Sequence, residues 1–212
     1  MTTDEFLSWL EKQNKKTIFN IKKVPLNKLS SWFFDKNNNL QHNSGKFFSI
    51  EGIHVKTDSG TVKEWKQPII NQPEIGILGI LCQKHEGILY FLLQAKIEPG
   101  NINKIQMSPT VQATKSNYSQ VHGGKLPQYL SFFINFKNKK IIVDQLQSEQ
   151  GARFYKKRNR NIIIEVPEDI KIELSDNYCW LTLGQIKKLL SYNNIINMDT
   201  RTVLSCTQIK AI

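Results

Sequence analysis

The stretch ILYFLLQAKIEPG, residues 88–100, decides the kind of fold this chain adopts. Its apolar run starts after Gly87, ends at Pro99-Gly100 and carries aromatic and β-branched residues, which predicts a strand. Because side chains alternate across a strand, Phe91, Leu93, Ala95 and Ile97 share one face while Gln94, Lys96 and Glu98 share the other. An amide, an ammonium and a carboxylate in a row are costly at the end of an apolar strand unless that face meets water or a polar ligand. A half-exposed strand and a functional site both satisfy the pattern.

The segment after the strand favours a site. Residues 107–124 read MSPTVQATKSNYSQVHGG, a run of hydroxyls, amides, one histidine and paired glycines set between two apolar segments. Structureless connections longer than about a dozen residues are uncommon inside domains and are usually functional or disordered. Disorder fits this one poorly, since Val111, Tyr118 and Val121 supply apolar anchors. His122 stands just before Gly123-Gly124, where a tight turn can aim an imidazole inward.

Working outward, further strands are expected in KFFSIEGIHVK (46–56), KQPII (66–70), IGILGIL (75–81), QYLSFFINF (128–136), KIIVDQL (140–146) and NIIIEV (161–166). Helical spacing predicts a helix over 3–13 with Thr3 as its cap. It also predicts a short helix from Pro25, one in LTLGQIKKLLSY (181–192) capped by Thr182, and one over 199–210. Helices at both ends of a strand-rich middle argue for an α/β or α+β domain around one mixed sheet. The expected division is a helical N-terminal extension over 1–30 and a single domain over 31–212.

With 40% hydrophobic residues among 212, the chain can bury a substantial core, and no apolar run reaches the length of a membrane helix. Acidic residues precede lysines in MTTDEFLSWLEKQNKK, the reverse of a secretory signal, so a cytoplasmic protein without membrane association is expected. Cys82, Cys179 and Cys206 stand far apart and suggest neither a disulfide framework nor a metal site. His42, His54 and His85 show no metal spacing either. The net charge of +11 points to an anionic partner. Of the 29 basic residues only four are arginines, and three of these, Arg153, Arg158 and Arg160, crowd into ARFYKKRNR. The planar guanidinium fork grips phosphate bidentately, although a solvated basic face or an RNA-binding module would show the same cluster.

Taken together, HNSGKFFSIEG (42–52), QPIINQPEIGILG (67–79), QAKIEPGN (94–101), SPTVQATKSNYSQVHGG (108–124), QSEQGARFYKKRNRN (147–161), WLTLGQIKKLL (180–190) and NMDTRTVLSC (197–206) resemble the NDP-hexose 2,3-dehydratases of deoxysugar biosynthesis. The resemblance runs from about Ser31 to about Cys206. It implies a Nudix-like α/β/α sandwich and a lyase that removes water across C2 and C3 of a nucleotide-linked 4-keto-6-deoxyhexose. The acidic box that holds Mg²⁺ in Nudix hydrolases is missing, so no metal, no other cofactor and no pyrophosphate cleavage are expected. Family members typically carry two copies of this unit and here there is one, which suggests a homodimer.

Such chemistry needs a base at C3, donors for the charge growing on O4 and an acid for the departing hydroxide. On the matching motifs, Glu98 and His122 are the candidates for base and acid, in either order, with Tyr118 as a further acid and Lys96 for the enolate. Gln94, Asn101, Thr110, Gln112, Thr114, Ser116 and Asn117 would bind the sugar hydroxyls. Arg153, Arg158 and Arg160 would take the diphosphate, and Trp65, Phe154 or Tyr155 would stack on the base. The expected partner is a nucleotide-linked sugar, dTDP foremost, rather than nucleic acid, with a 3-ketoreductase consuming the unstable product. A noncatalytic nucleotide-sugar-binding subunit of a larger enzyme is the alternative.

Overall fold

The computed structural model describes residues 1–114 and 126–208. In chain order the elements are α1 (Thr3–Lys16), β1 (Trp32–Phe34), β2 (Leu40–His42), β3 (Ser49–Lys56), β4 (Glu64–Asn71), β5 (Gly76–His85), β6 (Ile88–Ile97), β7 (Ile105–Ser108), β8 (Val111–Ala113), α2 (Leu130–Ile134), β9 (Lys140–Ser148), β10 (Arg158–Val166), β11 (Tyr178–Thr182), α3 (Leu183–Leu189) and α4 (Met198–Ser205). Two compact units result, one of residues 1–21, 76–146 and 160–212, the other of 22–75 and 147–159.

The first unit is built on the expected strand. β6 pairs antiparallel with β5 and with β11, in a seven-stranded sheet ordered β11-β6-β5-β10-β9, with β7 added to β6 and β8 to β5. Alternation sorts its side chains into two cores. Phe91, Leu93 and Ala95 of β6 join Leu78, Ile80 and Cys82 of β5 in one, where Phe6 and Leu10 of α1, Ile186 and Leu189 of α3 and Val203 of α4 complete the packing. Leu92, Ile77, Leu81, Ile162 and Ile164 form the other, closed by Leu130 and Phe133 of α2. Each large side chain so buried contributes about 1.5–3 kcal/mol. With helices over both faces, the mixed α+β sandwich agrees with the fold expected from the strand and helix patterns.

α1 contributes to this core, with Phe6 fully buried and Leu10 nearly so. Its cap is Thr2, one residue earlier than expected. The Thr2 hydroxyl accepts from the Glu5 N–H at 3.2 Å, and the Glu5 carboxylate accepts from the Thr2 N–H at 2.7 Å. That backbone donor holds the Glu5 carboxyl below the usual carboxylate range. Thr182 caps α3 as expected, with Gln185 closing a second capping box.

Three expectations fail on local grounds. LSFFI is a helical turn at 130–134, not a strand. Its apolar residues are too few for periodicity to choose between the two, and packing against the sheet decides. The segment after Pro25 makes one 3₁₀ turn, Leu26–Lys28, before WFF enters β1. Part of the polar run at 107–124 is strand, in β7 and β8.

The second unit is a four-stranded sheet in the order β1-β2-β3-β4. The arginine-bearing segment lies along β4: the Ile70 N–H donates to Arg153 O at 2.9 Å and the Tyr155 N–H to Ile70 O at 2.8 Å. Gln67 Nε2 donates to Ala152 O at 2.9 Å. Lys157 is buried and its ammonium donates to Glu74 O. Burial pulls the pKa of that ammonium down.

Candidate active site

At the fork of the first unit's sheet, β5 and β6 are paired through Leu81 and Leu92 and then part. The chain that fills the gap is β7 followed by β8. β7 pairs with the end of β6, setting Ser108 opposite Gln94 and Gln106 opposite Lys96, and β8 crosses to β5, setting Gln112 opposite Leu78. A parting of strands leaves backbone donors and acceptors without their ladder partners, a buried cost that must be met. Thr110 meets it: its hydroxyl accepts from the Leu81 N–H at 2.8 Å and donates to Leu92 O. Tyr178 Oη donates to Thr110 O at 3.3 Å from β11, and burial pushes that phenol's pKa up.

Beyond the fork the polar side chains of β6 gather. Lys96 Nζ lies 3.4 Å from Glu98 Oε1, with both side chains about a quarter to a third exposed (27% and 30%). Gln112 Nε2 donates to the same Glu98 oxygen at 2.9 Å. A carboxylate only accepts, so this contact fixes which way the amide points. The other end of that amide, Gln112 Oε1, is buried and has no partner among the described residues. An unpaired buried acceptor costs about 1–3 kcal/mol and asks for a donor. Asn101 closes the turn beyond β6: its N–H donates to Glu98 O at 3.0 Å and its Nδ2 to Lys104 O at 3.1 Å.

The structure thus brings Lys96, Glu98 and Gln112 together, with half-buried Gln94 behind them on β6, flanked by Tyr178 and Ser108. It gives Thr110 and Asn101 other work. Thr110 is 1% exposed with its hydroxyl bonded to backbone, and the Asn101 amide bonds within its own loop. Thr114 is the last residue described before the gap. Ser116, Asn117, Tyr118 and His122 lie outside the described residues.

The three arginines are divided between the two units. Arg160, in the first unit, is bound two-pronged by Asp144, Nε to Oδ1 at 2.7 Å and Nη2 to Oδ2 at 2.6 Å. That guanidinium holds the Asp144 carboxyl below its usual range. Arg153 and Arg158 are exposed and belong to the second unit, up to the boundary at 159. Phe154 is half-buried against β4, in a bridge with Ile70. Tyr155 is exposed, with the Lys156 ammonium 5.4 Å from its ring centre. Trp65 donates from its indole N–H to Gln67 Oε1 at 2.8 Å. The three remaining histidines hold local contacts: His42 with Ser44, His54 with Glu64 and His85 with Glu168.

Sequence reasoning passed over a second feature of the first unit. A cavity of about 780 Å³ lies along α1, and its lining includes Trp9, Tyr90 and Trp180 but none of Lys96, Glu98 and Gln112. The signal was present as alternate positions on β11 and a helical stripe on α1, yet nothing in either segment marks a cavity without the fold.

The model of the NDP-hexose 2,3-dehydratase family matches residues 3–207. The dTDP-4-dehydro-6-deoxy-α-D-glucopyranose 2,3-dehydratase of Saccharopolyspora spinosa is 51% identical over 205 residues, covering 96% of this chain and 42% of that protein. The enzyme of the same name from Amycolatopsis orientalis is 46% identical over 212 residues, covering 97% and 45%. The chain therefore spans less than half the length of the curated relatives it matches. Among solved structures, a C. elegans Ap4A hydrolase aligns with 63% of this chain and 95% of its own at 14% identity and a TM-score of 0.38. An ADP compounds hydrolase aligns with 75% and 83% at 9% identity and a TM-score of 0.44. Scores at that level carry no argument about the site.

Proposed function

The chain belongs to the NDP-hexose 2,3-dehydratase family, and from that premise we propose that its polar strand end eliminates water across C2 and C3 of a nucleotide-linked 4-keto-6-deoxyhexose, with dTDP as the nucleotide. One observation carries the reading: a carboxylate, Glu98, held between an ammonium and an amide whose far oxygen is buried and unpartnered among the described residues.

The C4 ketone makes the C3 proton acidic. Glu98 and His122 divide the roles of base and acid. The C3–H electron pair moves into an enolate whose negative O4 is stabilised by Lys96. As the enolate collapses, the C2–O bond breaks and the hydroxyl leaves as water with a proton from the acid, Tyr118 being the alternative donor. Gln112 Oε1 receives a sugar hydroxyl. No step moves electrons to or from a second molecule, so the proposal includes no redox cofactor. The enol formed becomes a 3,4-diketone, which a carbonyl reductase must consume.

A second reading rests on the share of the relatives that the chain spans: it serves as a noncatalytic nucleotide-sugar-binding subunit. The deciding experiment incubates the purified chain with dTDP-4-keto-6-deoxyglucose and a 3-ketoreductase and looks for the 2,6-dideoxy product. Its formation is expected. Unchanged substrate at high protein concentration rejects catalysis by this chain alone and favours the subunit reading.

A further inference from the structure

We propose that Tyr178 is a positioning residue for the candidate site: its hydroxyl holds the Thr110 carbonyl and so sets the direction from which the chain delivers Gln112 to Glu98. The part that Glu98 plays in catalysis rests on the function proposed above; the placement of Gln112 by Tyr178 does not.

Tyr178 is held by its surroundings before its hydroxyl does anything. It opens β11 opposite Gln94 of β6, and Gln94 stands opposite Ser108 of β7, so three strands run in one row through it. Its own N–H donates to Ser175 O at 2.9 Å. Tyr178 is 5% exposed, and its ring meets that of Tyr129 edge-on, with centres 4.8 Å apart and planes at 81°. Tyr129 is fixed in turn, since its hydroxyl donates to Glu173 O at 2.7 Å and accepts from the Ser175 N–H at 3.3 Å. A phenol packed in this way has little freedom left, and its oxygen is presented at one place.

That place is the Thr110 carbonyl, 3.3 Å away. Thr110 lies immediately before β8, and its hydroxyl is anchored in the fork by Leu81 and Leu92. Those two bonds hold the side chain. They do not fix rotation about the Thr110 Cα–C bond, which turns the rigid peptide plane leading into β8. A buried carbonyl needs a donor, and the bond from Tyr178 both supplies one and sets that plane. Because β8 is only three residues long, its own ladder is short and the entering plane matters. Two residues beyond Thr110, Gln112 Nε2 donates to Glu98 Oε1 at 2.9 Å. Burial pushes the pKa of the Tyr178 phenol up, so it stays a donor at neutral and moderately alkaline pH.

The test is a double-mutant cycle on the full chain. Tyr178→Phe keeps the ring against Tyr129 and removes only the hydroxyl. We expect kcat for the trapped 2,6-dideoxy product to fall about tenfold, the order of one hydrogen bond, with KM within about twofold of the parent's. If Tyr178 acts through Gln112, adding Tyr178→Phe to Gln112→Leu should cost no more than about twofold further. A parent-like kcat in Tyr178→Phe, or losses that multiply in the double variant, overturns the proposal. A second measurement needs no turnover. The side-chain amide signal of Gln112 in a proton–nitrogen correlation spectrum, identified by its loss in Gln112→Leu, should move in Tyr178→Phe towards its position in Glu98→Ala. It should stay in place in Tyr129→Phe. A signal unmoved in Tyr178→Phe, or moved equally in Tyr129→Phe, also overturns the proposal. If the parent forms no product, the dehydratase reading falls and the amide signal still decides the placement; product with an unmoved signal would do the reverse.

Discussion

Glu98 sits where a strand ends and its rigid neighbours do not. Its partners arrive from opposite directions, Lys96 along its own strand and Gln112 from β8. A part-exposed ion pair of this kind is worth less than about 1 kcal/mol, so its role is orientation more than stability. Glu98→Gln keeps the shape and removes the base; turnover should fall by about 10²–10⁴, the usual worth of a positioned acid or base. Gln112→Leu removes the amide donor at nearly constant volume. A hydrogen bond to a charged group is worth about 1.5–3 kcal/mol, so a loss of about 10- to 150-fold in kcat is expected. In both variants dTDP affinity, measured by calorimetry, should stay within a few-fold of the parent. Activity equal to the parent's in Glu98→Gln removes that residue from the mechanism. The polar face of β6 was legible because strand alternation is a strict rule; the task of Thr110 was not, because a hydroxyl that bridges two parting strands looks in sequence like any other loop hydroxyl. The same holds for Asn197 and Thr200 in the NMDTRTVLSC block. Asn197 Nδ2 donates to Ser108 Oγ at 2.8 Å and Thr200 Oγ1 to Met107 O at 2.9 Å, so these residues fasten α4 to β7.

Between elements, the close approach of α2 to β5 depends on one residue without a side chain. A Cβ at Gly79 would lie 2.5 Å from a Phe133 ring carbon, well inside contact distance. Phe133 is 2% exposed and has little room to retreat. Gly79→Ala should therefore cost about 1–3 kcal/mol, as overpacked cores do, read as a lower urea midpoint at unchanged slope. Adding Phe133→Leu should return part of that loss, and the double variant should be less destabilised than the sum of the singles. Simple additivity would show that the two residues do not press on each other. This contact also explains why LSFFI misled: IGILGIL was legible as a strand, but the partner that turns residues 130–134 into a helical turn is a gap on that strand's surface. A gap has no signature in the segment that fills it. Helix ends were more legible, since Thr182 was readable as a cap, and the N-terminal cap was displaced by one residue only, from Thr3 to Thr2.

For the whole molecule the question is whether the proposed reaction needs one copy of this chain or two. At 51% and 46% identity the chain matches less than half of each relative's length. We propose that two copies associate, because pairing of identical patches about a twofold axis is the commonest way for identical chains to assemble. If activity belongs to the pair, catalysis and association must titrate together. Sedimentation equilibrium should give a mass of about twice 24.6 kDa at micromolar protein. Product formed per chain should fall, by mass action, when the protein is diluted through the dissociation range. A constant specific activity across dilutions at which the mass has dropped to that of one chain would assign the chemistry to the single unit. Twofold association would then be irrelevant to the reaction, and Lys96, Glu98 and Gln112 with the residues after Thr114 would have to suffice.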